Sequence, residues 1–342
     1  MALITPAWVQ TNPSYVMPEL LVQFQQASGA FDTLATGAPM PRLGEGDLAV
    51  YVKRLNIRTQ IAAGQSAYNM LPSIAIDTHM IQTPTYLMRV RAEYDHHDTA
   101  AAARWGISIT DAQRLGMRQA HFQLARDALL YGFNPQNGEG LINTPEATTV
   151  TLPPDSHGNI YVTGYDPNDM FVVMLQQVQE VKASTFQLGQ GRKITFLGPQ
   201  RIMASLEYQS IVQLTSYQRA GAGSLSVRGA LAAQLGVNED ELEWKYDDTL
   251  IGKGENGTDA VIITMPEVNK PRIQNKFNTN SFAELTPSLL ANNVQLCDTA
   301  APIEIPTPIP GGAIDVVSEI RMTSGWVLRP EALRIISMPY AA

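Results

Sequence analysis

ISITDAQRLGMRQAHFQLARDALLYG, residues 107–132, and FNPQNGEGLINTP, residues 133–145, form the stretch around which the chain is organised. The first run predicts a long amphipathic helix. Ser108, Thr110 and Asp111 stand at its start, where a short side-chain oxygen can accept from an unpaired backbone N–H. Leu115, Phe122 and Leu129 recur at sevens, with Gln119, Ala125 and Ala128 filling the same broad face. Gly132 ends the helix, because glycine adopts the left-handed C′ conformation without a Cβ clash. Asn134-Pro135 and Asn137-Gly138 are turn dipeptides, so the chain changes direction before Gly140-Leu141-Ile142-Asn143 and Thr144-Pro145.

Composition bounds what surrounds this stretch. A chain of 342 residues has room for about two domains, and 44% hydrophobic content supports a packed core. The formal charge of −8 argues against a protein that grips nucleic acid through a basic face. The single Cys297 excludes an intramolecular disulfide and reads as a structural thiol, as in a reducing cytosol. No basic-then-apolar leader opens the sequence and no apolar run of about 18 residues occurs. The expectation is therefore a chain that neither spans a membrane nor is secreted by that route.

Residues 1–55 are interrupted by Pro6, Pro13, Pro18, Pro39 and Pro41 yet retain Trp8, Tyr15, Phe24 and Phe31. They predict an arm that orders only against neighbouring subunits, with one short helix at Met17–Gln26. Strand character follows in Asp47–Lys53, Ile57–Ile61 and Thr83–Glu93. The last places Tyr86, Met88, Val90 and Ala92 on one side and Leu87, Arg89, Arg91 and Glu93 on the other. A small and polar region around Gly64–Ala75 separates these strands, so a thin hairpin without its own core is expected. Arg89 and Arg91 are expected to pair with Asp95 and Asp98 between subunits.

After the long helix, Ala147–Leu152 and Ile160–Val162 predict short strands, and Asp166-Pro167 opens a helix to Ser184. Lys193–Leu197 predicts a buried strand, followed by Gly198-Pro199 and a helix from Gln200. Leu225–Leu235 predicts a helix stopped at Gly236, Leu242–Tyr246 and Leu250–Ile251 short strands, and Ala260–Met265 an apolar strand. Lys270–Val294 reads as a long loop. Pro302–Pro306, a turn at Pro308–Gly312, Ile314–Met322, Thr323–Leu328 and Leu333–Ile336 complete the chain with extended segments.

Residue types and spacings offer no persuasive catalytic constellation. Asp95-His96-His97-Asp98 has metal-binding residue types, but neighbours on an extended chain point to opposite faces, so a solvated turn is expected. Gly189-Gln-Gly-Arg-Lys193 lacks phosphate-loop spacing and reads as a turn. His121 reads as a packed or interface histidine, and Asn256-Gly-Thr258 as a turn. Arg104, Arg114, Arg118 and Arg126 could face a packaged genome, bridge to acidic neighbours or form a solvated helix face. No catalytic, cofactor-binding or metal-ligating residue is assigned, and an enzyme is not expected.

A long helix ending in Tyr131-Gly132, a polar turn and the Gly140–Asn143 element resembles the major capsid proteins of tailed phages, the Hong Kong 97 type. Ile194–Pro199 and Val327–Ala332 resemble further steps of that family. The resemblance implies an α+β fold divided into an N-terminal arm (1–55), an E-loop hairpin (56–105), a spine helix with P-domain (106–199), an A-domain (200–300) and a C-terminal return to the P-domain (301–342). It also implies self-assembly into hexamers and pentamers of an icosahedral head, built in the host cytoplasm and located in the virion. The implied partners are further copies of the chain, portal, scaffolding and decoration proteins, and double-stranded DNA held non-specifically, with no membrane and no cofactor. Alternatives are an encapsulin-like compartment shell and a cytosolic α+β enzyme.

Overall fold

The elements of the computed structural model follow in chain order. A hairpin of β1 (Ala49–Arg58) and β2 (Ala75–Tyr94) precedes α1 (His96–Arg104) and the long α2 (Ile109–Leu130). Then come β3 (Thr148–Thr151), α3 (Pro167–Ser184), β4 (Ile194–Gly198), α4 (Gln200–Tyr208), β5 (Ser210–Ile211), β6 (Leu225–Ser226) and α5 (Val227–Leu235). The chain closes with β7 (Leu242–Tyr246), β8 (Asp259–Thr264), β9 (Val294–Gln295), β10 (Ile303–Ile309), β11 (Ala313–Thr323), β12 (Trp326–Val327) and β13 (Leu333–Met338). The structure describes residues 28–35, 42–58, 75–104, 108–185, 189, 191–208, 210–211, 225–235, 241–269, 291–299 and 301–341. The expected helix at Met17–Gln26, most of the hairpin tip, the Gly236 stop and most of the 270–294 loop lie outside them.

α2 begins as its sequence dictates: the Ser108 hydroxyl accepts from the Asp111 N–H at 3.3 Å. Its other end explains the Gly140–Asn143 element. A helix leaves its last four carbonyls without intrahelical donors. Here the Ala128 carbonyl accepts from Gly132 N (3.2 Å) and Gly325 N (2.8 Å), Leu129 from Leu141 N (3.0 Å) and Leu130 from Ile142 N (3.1 Å). The Tyr131 carbonyl accepts from the Asn143 side-chain amide at 2.9 Å. The returning turn therefore satisfies the helix end, and it drives Leu141 into the core beside Leu129 and Leu130, all fully buried.

The central layer is a five-stranded sheet in the order β3-β13-β8-β4-β7. β13 pairs parallel to β3 and antiparallel to β8; β4 pairs antiparallel to β8 and parallel to β7. Both faces are covered, which is why β4 and β8 read as continuous apolar runs. On one side Phe196, Val261, Ile263, Ile336 and Met338 pack against α3, α4 and α5. On the other Leu197, Ala260, Ile262, Leu333 and Ile335 pack against the end of α2 and against Ala30. α3 starts with the Asp166 carboxylate accepting from Asn168 N (2.8 Å) and Asp169 N (3.2 Å), with Pro167 at its first position.

Several expectations need correction. The boundary at 55/56 falls inside β1. The boundary at 199/200 does not separate two packed units, because β4 is flanked by β8 and β7 in one sheet. Ile160–Val162 and Leu250–Ile251 are not strands; the chain there forms 3-10 turns at Val162–Gly164 and Asp248–Leu250. The second is fixed by the Asp247 carboxylate accepting from Thr249 N at 3.0 Å. On α2, Leu115 is exposed, whereas Met117, His121, Ala128, Leu129 and Leu130 are buried. The helix lies on β2 and β11 with its first part and on the five-stranded sheet with its last, so no single seven-residue stripe describes its buried face.

Residues 28–35, placed in an arm expected to order against neighbours, dock on their own chain. Ala30 is fully buried, the Phe31 ring lies 5.2 Å from Phe122, and the Ser28 hydroxyl donates to the buried Asp247 carboxylate. Lys245 reaches Asp32 at 3.2 Å.

Gly140 has a φ of +88°, and a Cβ there would lie 2.4 Å from the Tyr131 carbonyl carbon and 2.5 Å from Gly132 N. Gly158 has a similar φ of +85° but nothing within 4 Å of a Cβ. Gly140→Ala is expected to destabilise the protein by more than about 2 kcal/mol and Gly158→Ala by about 1 kcal/mol, compared by urea unfolding.

Candidate assembly surfaces

β2 is twenty residues long, about 65 Å at strand rise. Its inner half, residues 85–94, pairs with β11, and its outer half, residues 75–84, pairs with β1. Tyr86, Met88, Val90 and Ala92 are half-buried beneath α2, while Leu87, Arg89, Arg91 and Glu93 are exposed, as the alternation predicts. The first row continues outward through Met80 and Ile76, with Tyr51 opposite Gln82 and Lys53 opposite Met80. There α2 no longer covers it. Tyr51, Ile76 and Met80 are 59%, 66% and 67% exposed. Two strands alone have no core in which to place such side chains, so among the described residues Tyr51, Ile76 and Met80 stay uncovered on this face, between Lys53, Thr78 and Gln82.

The opposite face of the outer sheet, ordered β1-β2-β11-β10, carries exposed Leu87, Ile303 and Ile305 among ion pairs. Arg89 reaches Glu319 at 2.6 Å and Arg91 reaches Asp315 at 2.9 Å. These partners on the neighbouring strand of the same chain replace the expected Asp95 and Asp98. Those two carboxylates instead cap α1 reciprocally, Asp98 N to Asp95 Oδ1 at 2.8 Å and Asp95 N to Asp98 Oδ2 at 3.2 Å. The Asp95–Asp98 segment is largely solvent-exposed, as expected of a solvated turn, but forms the start of a helix, because the first-turn N–H groups find these acceptors. Among the described residues no group of three or more His, Cys, Asp or Glu side chains is arranged to hold a metal ion.

β10 runs through Pro306 and Pro308 to Ile309, longer than the expected Pro302–Pro306 segment, and the chain reverses at Pro310–Gly312. It is an edge strand, where a residue lacking an N–H is tolerated and discourages further strand addition. On α2, Arg114 pairs with Glu304 at 3.0 Å and Arg126 with Asp127 at 3.0 Å, and Arg118 is exposed; the side chain of Arg104, at the end of α1, lies outside the described residues. Arg192 and Lys193, from the glycine-rich turn, bond to Glu267 and Glu243 at 3.3 and 2.7 Å. Cys297 is fully buried, and burial together with Asp298 pushes its thiol up to about 11. No helix among the described residues is long and apolar enough to cross a membrane.

The root of the hairpin is fastened by a residue that no sequence signal marks. Glu139 is buried in the turn after α2. Its carboxylate accepts from the Tyr86 hydroxyl on β2 at 2.7 Å, from Asn134 N at 3.0 Å, and from the Ser324 hydroxyl just beyond β11. Burial and this carboxylate push the Tyr86 phenol up to about 12. A second unmarked carboxylate, Asp259, is almost wholly buried and accepts from Nε and Nη2 of Arg201 at 2.7 and 2.6 Å. The hairpin, the spine-helix exit and β11 therefore meet at Glu139. Glu139→Gln turns an amide NH2 toward groups that already donate, and is expected to cost about 1–3 kcal/mol in urea unfolding, with Tyr86→Phe costing about 1 kcal/mol.

A family model described as major capsid protein matches residues 59–160. No curated protein matches the sequence. Among solved structures, the capsid of Myoviridae phage XM1 is similar with a TM-score of 0.69 at 10% identity, covering 95% of this chain and 96% of that one. The capsid of a native GTA particle aligns with a TM-score of 0.58 at 10% identity, covering 99% of each chain. The capsid of cyanophage P-SCSP1u aligns with a TM-score of 0.57 at 12% identity, covering 96% and 93%. The chain thus has the Hong Kong 97 fold seen in tailed-phage capsids, and its residues 59–160 match the major capsid protein model.

Proposed function

We propose that copies of this chain associate into hexamers and pentamers that close an icosahedral phage head around double-stranded DNA. The chain then acts as a structural protein of the virion and catalyses no reaction. The observation that carries this reading is the uncovered apolar row on the outer hairpin, Tyr51, Ile76 and Met80. Seating a side chain such as Ile76 or Met80 on a neighbour is worth about 1.5–3 kcal/mol. A contact of that size is weak alone but is repeated by every subunit of a closed lattice. Scaffolding, portal and decoration proteins are the expected accessory partners, and assembly takes place in the host cytoplasm. The family match and the similar structures are capsids and do not favour an encapsulin-like compartment.

The test replaces the apolar row. Negative-stain images and sedimentation of the wild-type chain, with a scaffold supplied if it needs one, are expected to show capsomers or closed particles. The triple variant Tyr51→Ser, Ile76→Ser, Met80→Ser is expected to retain wild-type circular dichroism and to lose particles. Particles that form as well from the variant would remove the hairpin from the assembly contact. A monodisperse wild-type monomer at high concentration would overturn the shell.

A further inference from the structure

His121 lies near the middle of α2, and four of the five histidines, His79, His96, His97 and His157, are exposed, whereas His121 is 5% exposed. Its Nε2 lies 3.0 Å from the hydroxyl of Ser318, a buried residue of β11. Its Nδ1 is buried and has no hydrogen-bond partner. A neutral imidazole needs one donor and one acceptor, and the Ser318 contact satisfies one of these. A second proton would place an N–H and a positive charge against atoms that cannot accept it. Ser318 stands opposite Val90 of β2 and Glu304 of β10. Ile320 and Met322 continue its row on β11 and pack with Ala128 and Met88. The charged groups on this side are few: Glu304 is held by Arg114 from α2, Arg118 is exposed, and Arg126 pairs with Asp127. β2 contributes Tyr86, committed to Glu139, and Tyr94 at its far end. Beyond these, β2 and β11 present Met88, Val90, Ala92, Val316 and Ile320 to this side.

We infer that the seam between the spine helix and the outer sheet carries a protonation-sensitive latch at His121 and Ser318, which holds α2 on β11 near neutral pH and loosens it in acid. Burial lowers the affinity of His121 for a proton. The folded chain therefore favours the neutral ring. The stability this confers is complete above the ordinary histidine value of about 6.5 and is lost as pH falls through the lowered one. Loosening is confined to the seam, because the five-stranded sheet contains no histidine. In a shell, and resting there on the capsid reading, the latch would free the spine helix to shift against the sheet while the central layer stays intact.

The experiment is hydrogen exchange read by mass spectrometry on the full chain as it purifies, wild type against His121→Gln, at about pH 7.5 and about pH 5, where exposed carboxylates remain ionised. Gln keeps a donor near Nε2 and cannot take up a proton. Peptides from residues 115–125 and 314–322 are expected to exchange roughly fivefold faster in the wild type than in the variant at the lower pH, and equally at the higher. Peptides of β8 and β13 are expected to show no difference. Equal exchange of the two proteins at both pH values, or acceleration shared by β8 and β13, would overturn the latch. Should His121→Gln fail to fold, the wild type alone decides once intrinsic exchange is corrected. A seam transition centred below the ordinary histidine value of about 6.5 and above the ordinary carboxylate value of about 4 supports the latch, and one at the carboxylate value refutes it. Imaging the same samples keeps the two readings apart, since absent particles defeat the shell and leave the seam measurement standing.

Discussion

The last turn of α2 must find donors for four carbonyls, and the way it finds them sets the rest of the molecule. Leu141 N, Ile142 N, Gly132 N, Gly325 N and the Asn143 amide all converge on that turn. Leaving such groups buried without partners costs about 1–3 kcal/mol each, so the turn and the helix end form together. The same closure inserts Leu141 beneath the five-stranded sheet and carries Glu139 to Tyr86 and Ser324. One local requirement thus ties the helix to both layers.

This junction also explains how a thin hairpin can project. Outward of residue 85, no helix lies above these strands and no third strand beside them among the described residues. Their position is set at the root, where Tyr86 is held by Glu139 and packs 4.8 Å from the Phe133 ring, and where Arg321 donates to the Asp47 carbonyl and the Thr85 hydroxyl. A projection anchored at one end, with its apolar row uncovered, gains by contact with a second molecule. The ion pairs on the other face of the sheet are exposed and contribute little each. They shape that surface more than they hold it.

Residues 28–35 have a separate role within the subunit. They close the side of the central layer opposite α3, through Ala30, Phe31 and the Ser28 bond to Asp247. This segment is thus fixed to its own chain.

Local signals carried far in this sequence. The period of β2, the caps of α2 and α3, the apolar runs of β4 and β8 and the stop at Gly132 are short-range constraints, in which one or two neighbouring residues decide a backbone conformation or a face. They are legible because the physics is local. The α+β class and the capsid resemblance rested on the order of such elements. What the sequence left open depends on partners distant along the chain. Arg89 and Arg91 could have met any nearby carboxylate, and only the β2–β11 register selects Glu319 and Asp315. Leu115 and His121 sit on one helix with similar surroundings in sequence, yet the sheet covers the histidine and leaves the leucine exposed. Glu139 resembles any acidic turn residue until the fold brings Tyr86 and Ser324 to it, 53 and 185 positions away. Sequence alone determined the elements and their order, because propensity and capping act within a few residues; tertiary structure decided which face is buried, which charges pair and which apolar row is left for another copy, because those depend on which distant strand lies alongside.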